Sequence, residues 1–276
     1  MKEIITSRQN PRVKNLCGLA EKKKRRQSKT FRFDGVKLLR EALLCGLHPR
    51  EVFLRYPVSE EIEELVAWGI KEGLLTEETV VYVSDSVFEK LSEERAPEGV
   101  ITVADFLSDL HRTEREDLPK QGEKILILES VRDAGNLGTI MRSCAALGID
   151  RLILSSDCAE LYNPKTVRSA MGALFRLPTQ EICSERLPEW IVSLRESGRR
   201  VYATALGRDA LLVGSFSMEC GDCFVIGNEG HGLSENVIAA CDGCALIPMR
   251  DGNESLNAAA AASICIWETV RPSKTV

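Results

Sequence analysis

Lys124-Ile125-Leu126-Ile127-Leu128-Glu129-Ser130-Val131-Arg132-Asp133-Ala134-Gly135-Asn136-Leu137-Gly138 passes from an unbroken apolar run into a polar, glycine-containing loop. A strand with one wet face alternates apolar and polar side chains; a run without alternation fits a parallel strand covered on both faces. Asn136 stands where it can cap a helix over 137–147, and 151–154 reads as the next strand. Downstream the alternation continues. Asn163-Pro164 opens a helix with cap and first-position chemistry. Strands are expected at 200–204, 223–226 and 245–248, with helices at 234–240 and 254–269. This order of strands and helices predicts a doubly wound parallel sheet over 124–276.

Working upstream, 108–123 contains Pro119, Gly122, many charges and few apolar side chains, and reads as a linker. Before it, 1–107 reads as a small α/β domain. A basic amphipathic helix is expected over 11–27, capped by Asn10 with Pro11 at its first position. Strands follow near 31–33, 51–55, 80–83 and 99–103, with helices over 36–44, 60–72 and 85–92. Two domains suit a chain of 276 residues. No apolar stretch approaches the ~18 residues of a membrane span, and no secretion signal is visible, so the cytoplasm is the expected compartment.

The net charge of −5 hides an asymmetry: residues 1–40 carry 13 basic against 3 acidic side chains, leaving 23 against 38 for the rest. The densest basic run is Lys22-Lys23-Lys24-Arg25-Arg26, followed by Arg32 between Phe31 and Phe33. A solvated helix face would explain such a run. Phosphate contacts, which release counterions from a nucleic acid, are the functional alternative.

Parallel sheets bind ligands beyond the carboxyl ends of their strands, and three segments there are rich in polar residues. The first holds Asp133, Asn136 and Arg142. The second is Gly227-Asn228-Glu229-Gly230-His231-Gly232, whose glycines permit close backbone approach. Its spacing is neither a dinucleotide fingerprint nor a phosphate loop, and His231 is given no catalytic role. The third runs from Ile247 to Asn257, with Ser255 and Asn257 at the start of an alanine-rich helix. Helix capping explains either of those two residues but does not require both.

In this order and at these separations, the three segments resemble the signature motifs of the SpoU/TrmH family of RNA methyltransferases, within the SPOUT superfamily. The resemblance covers roughly 123–269, and Asn163-Pro164-Lys165-Thr166-Val167-Arg168-Ser169-Ala170-Met171-Gly172-Ala173 matches a characteristic intermediate segment. Residues 1–107 are similar, more loosely, to the family's ribosomal-protein-like substrate-binding domain, including Phe33-Asp34-Gly35 and Glu41-Ala42-Leu43. The resemblance implies a parallel sheet with a deep trefoil knot, S-adenosyl-L-methionine as cofactor, a homodimer, and methylation of a ribose 2′-hydroxyl. Nothing in periodicity would suggest a knot.

By the same resemblance Asn136, Arg142, Glu229, Ser255 and Asn257 are the catalytic residues. Backbone groups of Gly227, Ile247, Met249 and Leu256, with Thr204, Ala205 and Leu206, hold the cofactor, while Ile247 and Leu256 sandwich its adenine. Lys22, Lys23, Lys24, Arg25, Arg26 and Arg32 meet RNA. A guanidinium stays charged at neutral pH, so Arg142 is read as gripping a phosphate and orienting the hydroxyl rather than as a base. The extra N-terminal domain favours 23S ribosomal RNA over transfer RNA.

Two other classes stay open on the residues alone: a non-catalytic RNA-binding or ribosome-assembly factor on the same fold, and a nucleotide-dependent oxidoreductase. Cys220-Gly-Asp-Cys223 and Cys241-Asp-Gly-Cys244 have a zinc-like separation of 17 residues. A buried strand and a helix lie between the pairs where a zinc ribbon has short hairpins, so no metal is expected.

Overall fold

A computed structural model describes residues 3–92, 96–113, 117–207, 209–250 and 255–271. The chain divides into two compact units, Met1–Leu107 with Tyr162–Phe175, and Ser108–Leu161 with Arg176–Val276.

In the first unit the elements run β1 (Ile4–Ile5), α1 (Pro11–Gly18), α2 (Lys22–Ser28), β2 (Thr30–Asp34), α3 (Val36–Leu44), β3 (Glu51–Tyr56), α4 (Glu60–Lys71), β4 (Val80–Ser84), α5 (Asp85–Leu91) and β5 (Val100–Asp105). The sheet order is β1-β4-β3-β5-β2, with β5 antiparallel to both its neighbours. One face buries Val13, Leu16, Phe53, Val83 and Phe88; the other buries Leu39, Val52, Leu54 and Ile62.

The single basic helix expected over 11–27 is two helices. Asn10 caps α1 as anticipated, its side chain accepting from Arg12 N at 2.9 Å. The chain breaks after Gly18, and Arg25 turns inward to satisfy the break, donating to the carbonyls of Leu19 and Ala20, both at 2.7 Å. Arg25 is therefore buried, and so is Arg32, which pairs with Asp34 at 2.8 Å and donates to Leu91 O at 2.7 Å. Both were expected at RNA. Their donors are spent inside the protein, so the basic surface is reduced to Lys22, Lys23 and Arg26, with Lys24 half-buried.

The remaining elements are β6 (His111–Thr113), β7 (Ile125–Leu128), α6 (Ala134–Leu147), β8 (Arg151–Ser155), α7 (Pro164–Ala170), β9 (Thr179–Ile182), α8 (Leu187–Glu196), β10 (Val201–Thr204), β11 (Leu211–Leu212), β12 (Cys223–Ile226), α9 (Glu235–Ala240), β13 (Gly243–Leu246) and α10 (Ala258–Val270). Of these, α7 belongs to the first unit. Tyr162 stacks on Phe106 with centroids 3.9 Å apart and accepts from Leu107 N at 2.7 Å. Phe175 packs 5.1 Å from Phe33, and Phe31 lies 4.7 Å from Tyr162. The aromatic pair beside the basic run is thus core.

The second unit is an eight-stranded sheet, β11-β13-β10-β12-β7-β8-β9-β6, in which every pairing is parallel. All four residues of β7 are fully buried, as its unbroken apolar run requires. The stretch expected to be a linker supplies an edge strand here: β6 pairs with β9, and Arg199 donates to the carbonyls of Lys120 and Glu123. Strand β9 and helix α8 were not anticipated; Thr179-Gln180-Glu181-Ile182 has too little apolar content to announce a buried strand. The chain steps outward through β8 and β9, then returns to place β10 and β12 on the other side of β7. That reversal puts the loops after β7 and β12 side by side, and Glu129 N donates to Ile226 O at 2.9 Å across it.

Candidate active site

A cavity of about 590 Å³ opens at the carboxyl ends of β10, β12 and β13. Thr204, Ala205 and Leu206 line it after β10, Gly227 after β12, and Ile247, Met249 and Leu256 between β13 and α10. Its walls are mostly apolar, and Leu206 is 80% exposed beside it. A large aliphatic side chain left in water at a cavity mouth fits a site awaiting a flat apolar group. Glu229 and Ser255 share the lining. At Gly227 a Cβ would come 2.5 Å from the backbone carbon of Gly232, so only glycine lets the loop close on itself.

At one side of this cavity three of the expected residues form a chain whose direction is dictated by a helix end. Asn257 caps α10, its Oδ1 accepting from Ala259 N at 2.9 Å and Ala260 N at 3.3 Å. Its Nδ2 therefore faces away from the helix and donates to Asn136 Oδ1 at 3.0 Å. That in turn fixes the Asn136 amide, whose Nδ2 donates to Glu229 Oε1 at 2.5 Å. An Asn can be placed either way round; here the unpaired N–H groups of α10 settle both amides.

Asn136 is available for this because it does not cap α6. Asp133 does, accepting from Asn136 N at 2.8 Å, and the helix starts three residues earlier than the sequence suggested. Helices α6 and α10 lie side by side, joined by Ser143 Oγ and Ser263 Oγ at 3.0 Å. Arg142 is not brought to the chain of amides. It is exposed, lies outside the cavity lining, and sits about 120° round α6 from Asn136 at ~3.6 residues per turn. His231 lines the cavity and is exposed.

Sequence reasoning missed the residues that brace the glycine loop. Glu129 accepts from Ser234 N at 2.9 Å and Ser234 Oγ at 2.6 Å, and Asn228 donates to Ser130 O at 2.7 Å. Asn228 and Glu129 were visible beside the motifs, but their partners lie about a hundred residues away in the chain. In the cysteine pairs, burial pushes the Cys223 thiol up and the Cys241 thiol up to about 12.

The SpoU rRNA Methylase family model matches residues 123–267, and the MRM3-like substrate binding domain model matches residues 10–102. The chain is 30% identical over 263 residues to the 23S rRNA (guanosine(2553)-2′-O)-methyltransferase RlmP of Bacillus subtilis, covering 95% of this chain and 97% of that protein. It is 31% identical to the 23S rRNA (uridine(2479)-2′-O)-methyltransferase of Streptomyces viridochromogenes, covering 84% of this chain and 83% of the other. The crystal structure of AdoMet-bound rRNA methyltransferase from Sinorhizobium meliloti superposes with a TM-score of 0.82 at 28% identity, covering 97% of both chains. A parallel sheet with a motif-built cavity beyond its strand ends, a full-length match to such relatives and the family model together establish that this chain belongs to the SpoU rRNA Methylase family.

Proposed function

We propose that this protein transfers a methyl group from S-adenosylmethionine to a ribose 2′-hydroxyl of 23S ribosomal RNA. The observation that carries this reading is the hydrogen-bonded chain Asn257–Asn136–Glu229 beside a cavity lined by every residue expected to hold the cofactor. The cavity suits that cofactor chemically: apolar Leu206, Ile247 and Leu256 offer surfaces for a purine, and strand-end loops present backbone groups to its edge. When bound, the cofactor supplies an electrophilic methyl on a sulfonium.

The protein must position a hydroxyl that remains protonated at neutral pH and help its proton leave. Asn136, with its amide fixed, and Ser255 supply the directional contacts for the sugar. Glu229 holds Asn136 in place, and a charged Arg142 grips the neighbouring phosphate. Since relatives carry names specifying guanosine in one case and uridine in another, the shared target chemistry is the ribose, and base choice belongs to the substrate-binding unit.

The same reading includes a homodimer. Ala260, Ile264 and Trp267 form an exposed apolar stripe along α10, next to the exposed Thr139, Arg142 and Ala146 of α6. A second copy seated on this stripe would bring Arg142 to the seam between protomers, where it can serve a site that its own helix turns it away from. The family's trefoil knot belongs to this reading too, supported by the placement of β12 between β7 and β10. Among the described residues no helix is long and apolar enough to cross a membrane, in keeping with a cytoplasmic enzyme acting on ribosomes.

Mapping 2′-O-methyl groups in ribosomal and transfer RNA, with and without the gene, tests the proposal. One 23S position should lose its methyl group. Loss confined to a transfer RNA, or no loss at all, would overturn it.

A further inference from the structure

Beyond the carboxyl end of β8, away from the cavity lining, Asp157 gathers four donors. Ser155 Oγ approaches at 2.6 Å, Ser184 Oγ at 2.9 Å and Arg132 Nη2 at 3.3 Å, and Ser130 Oγ makes a short hydrogen bond to Oδ2. Ser130 N also donates to Ser155 Oγ at 2.8 Å. Burial alone would raise the Asp157 carboxyl, but the hydrogen bonds from the three serines and Arg132 outweigh it and bring it down to about 2. It is a carboxylate at neutral pH.

Ser130 needs such an anchor. Its φ is 55°, a left-handed conformation that disfavours any residue with a Cβ, and such a turn persists only where its surroundings over-determine it. The turn aims the Ser130 carbonyl at Asn228, which donates to it at 2.7 Å. With Nδ2 committed there, Asn228 Oδ1 accepts from Gly230 N at 2.8 Å and His231 N at 3.2 Å. Its backbone exchanges hydrogen bonds with Gly232 at 2.9 and 3.0 Å. A continuous series of hydrogen bonds thus runs from Asp157 through Ser130 and Asn228 to the glycine loop, although Ser130, Arg132, Ser155 and Ser184, which hydrogen-bond to Asp157, are not among the residues that line the cavity.

We propose that Asp157 is a positioning residue for the cofactor cavity: it holds the left-handed turn at Ser130 and, through Asn228, keeps the 227–232 loop in the shape that binds. The proposal rests on the reading of that cavity as an S-adenosylmethionine site. It differs from a purely structural role for Asp157, which would lower the melting temperature without altering affinity or the loop.

The test uses the full chain and its Asp157→Asn, Asn228→Ala and doubly substituted forms, with S-adenosylmethionine titrated calorimetrically and amide exchange followed by residue. Asp157→Asn fills the same volume but offers an amide to hydroxyls that now donate to a carboxylate. Its affinity should fall about tenfold, the equivalent of one charge-assisted hydrogen bond, while KM for RNA stays unchanged. Protection at Gly230 and His231 should be lost while that in β7 and β8 persists. Asn228→Ala should behave alike, and the double substitution should be no worse than the more severe single one, because both cut one series of hydrogen bonds. Unchanged affinity with the loop still protected, or fully additive losses, overturns the proposal. If the unsubstituted protein binds no S-adenosylmethionine, the functional reading fails instead, and loop exchange in Asp157→Asn still decides whether the relay exists. Ser130→Ala, which removes only the hydroxyl, is the second variant should Asp157→Asn not fold.

Discussion

Asn257 spends its two amide atoms on different tasks, the oxygen on the first turn of α10 and the nitrogen on Asn136. The tasks can be separated. Asn257→Asp keeps an oxygen for the cap, and a carboxylate suits a helix N-terminus, yet it loses the donor that orients Asn136. Its melting temperature should match that of the parent protein while methyl transfer falls at least ~tenfold, the worth of ~1.4 kcal/mol. Asn257→Ala removes both functions and should also cost about 1 kcal/mol of stability, read from chemical denaturation. Arg142 makes a different case. If it grips a phosphate in a forked geometry, Arg142→Lys retains the charge but not the fork. Turnover should drop at least ~tenfold with S-adenosylmethionine affinity unchanged in a binding titration; near-normal turnover would remove the residue from the mechanism. Motif order pointed to residues that the fold does bring together, for every expected cofactor residue lines one cavity. How they are wired was not: the partner of Asn136 is 93 residues away in Glu229 and 121 away in Asn257.

Helix α2 shows what a charge run does and does not say. Lys22, Lys23 and Arg26 face solvent, while Arg25 in the same run is buried. Charge reversal at Lys22, Lys23 and Arg26 should weaken RNA binding and make the dependence of log affinity on log salt shallower, by about 1 for each phosphate that is no longer neutralised. Arg25→Ala should leave that slope unchanged and instead lower stability, since the carbonyls of Leu19 and Ala20 lose their donor. Strands and helices with strong period or cap chemistry were legible: α3 and β12 have the boundaries their sequences suggest, and Asn163 caps α7. Helix α6 began early because Asp133, not Asn136, was the better-placed cap. The short polar strands β6 and β9 escaped because their stability comes from pairing with neighbours, which no local pattern records.

For the molecule as a whole, composition indicated two parts, and the family resemblance indicated what each is for. In the homodimer proposed above, the association of copies would rest on the apolar stripe of α10. Trp267→Glu places a charge on the largest side chain of that stripe, which is exposed, and should convert a dimer to a monomer in sedimentation equilibrium, with methyl transfer lost and the fold retained by circular dichroism. A monomeric variant with full activity would count against a shared site. The assignment of Tyr162–Phe175 to the first unit carries one more consequence. The polypeptide leaves that unit, returns to lay Tyr162 and Phe175 over Phe31 and Phe33, and leaves again. A single proteolytic cut at Leu107 would not yield a self-sufficient amino-terminal fragment: stripped of its lid of aromatic rings, it would be sticky and would bind a hydrophobic dye. The two halves are stitched rather than strung, and gene fusions or recombination events that treat them as interchangeable beads should fail at that seam.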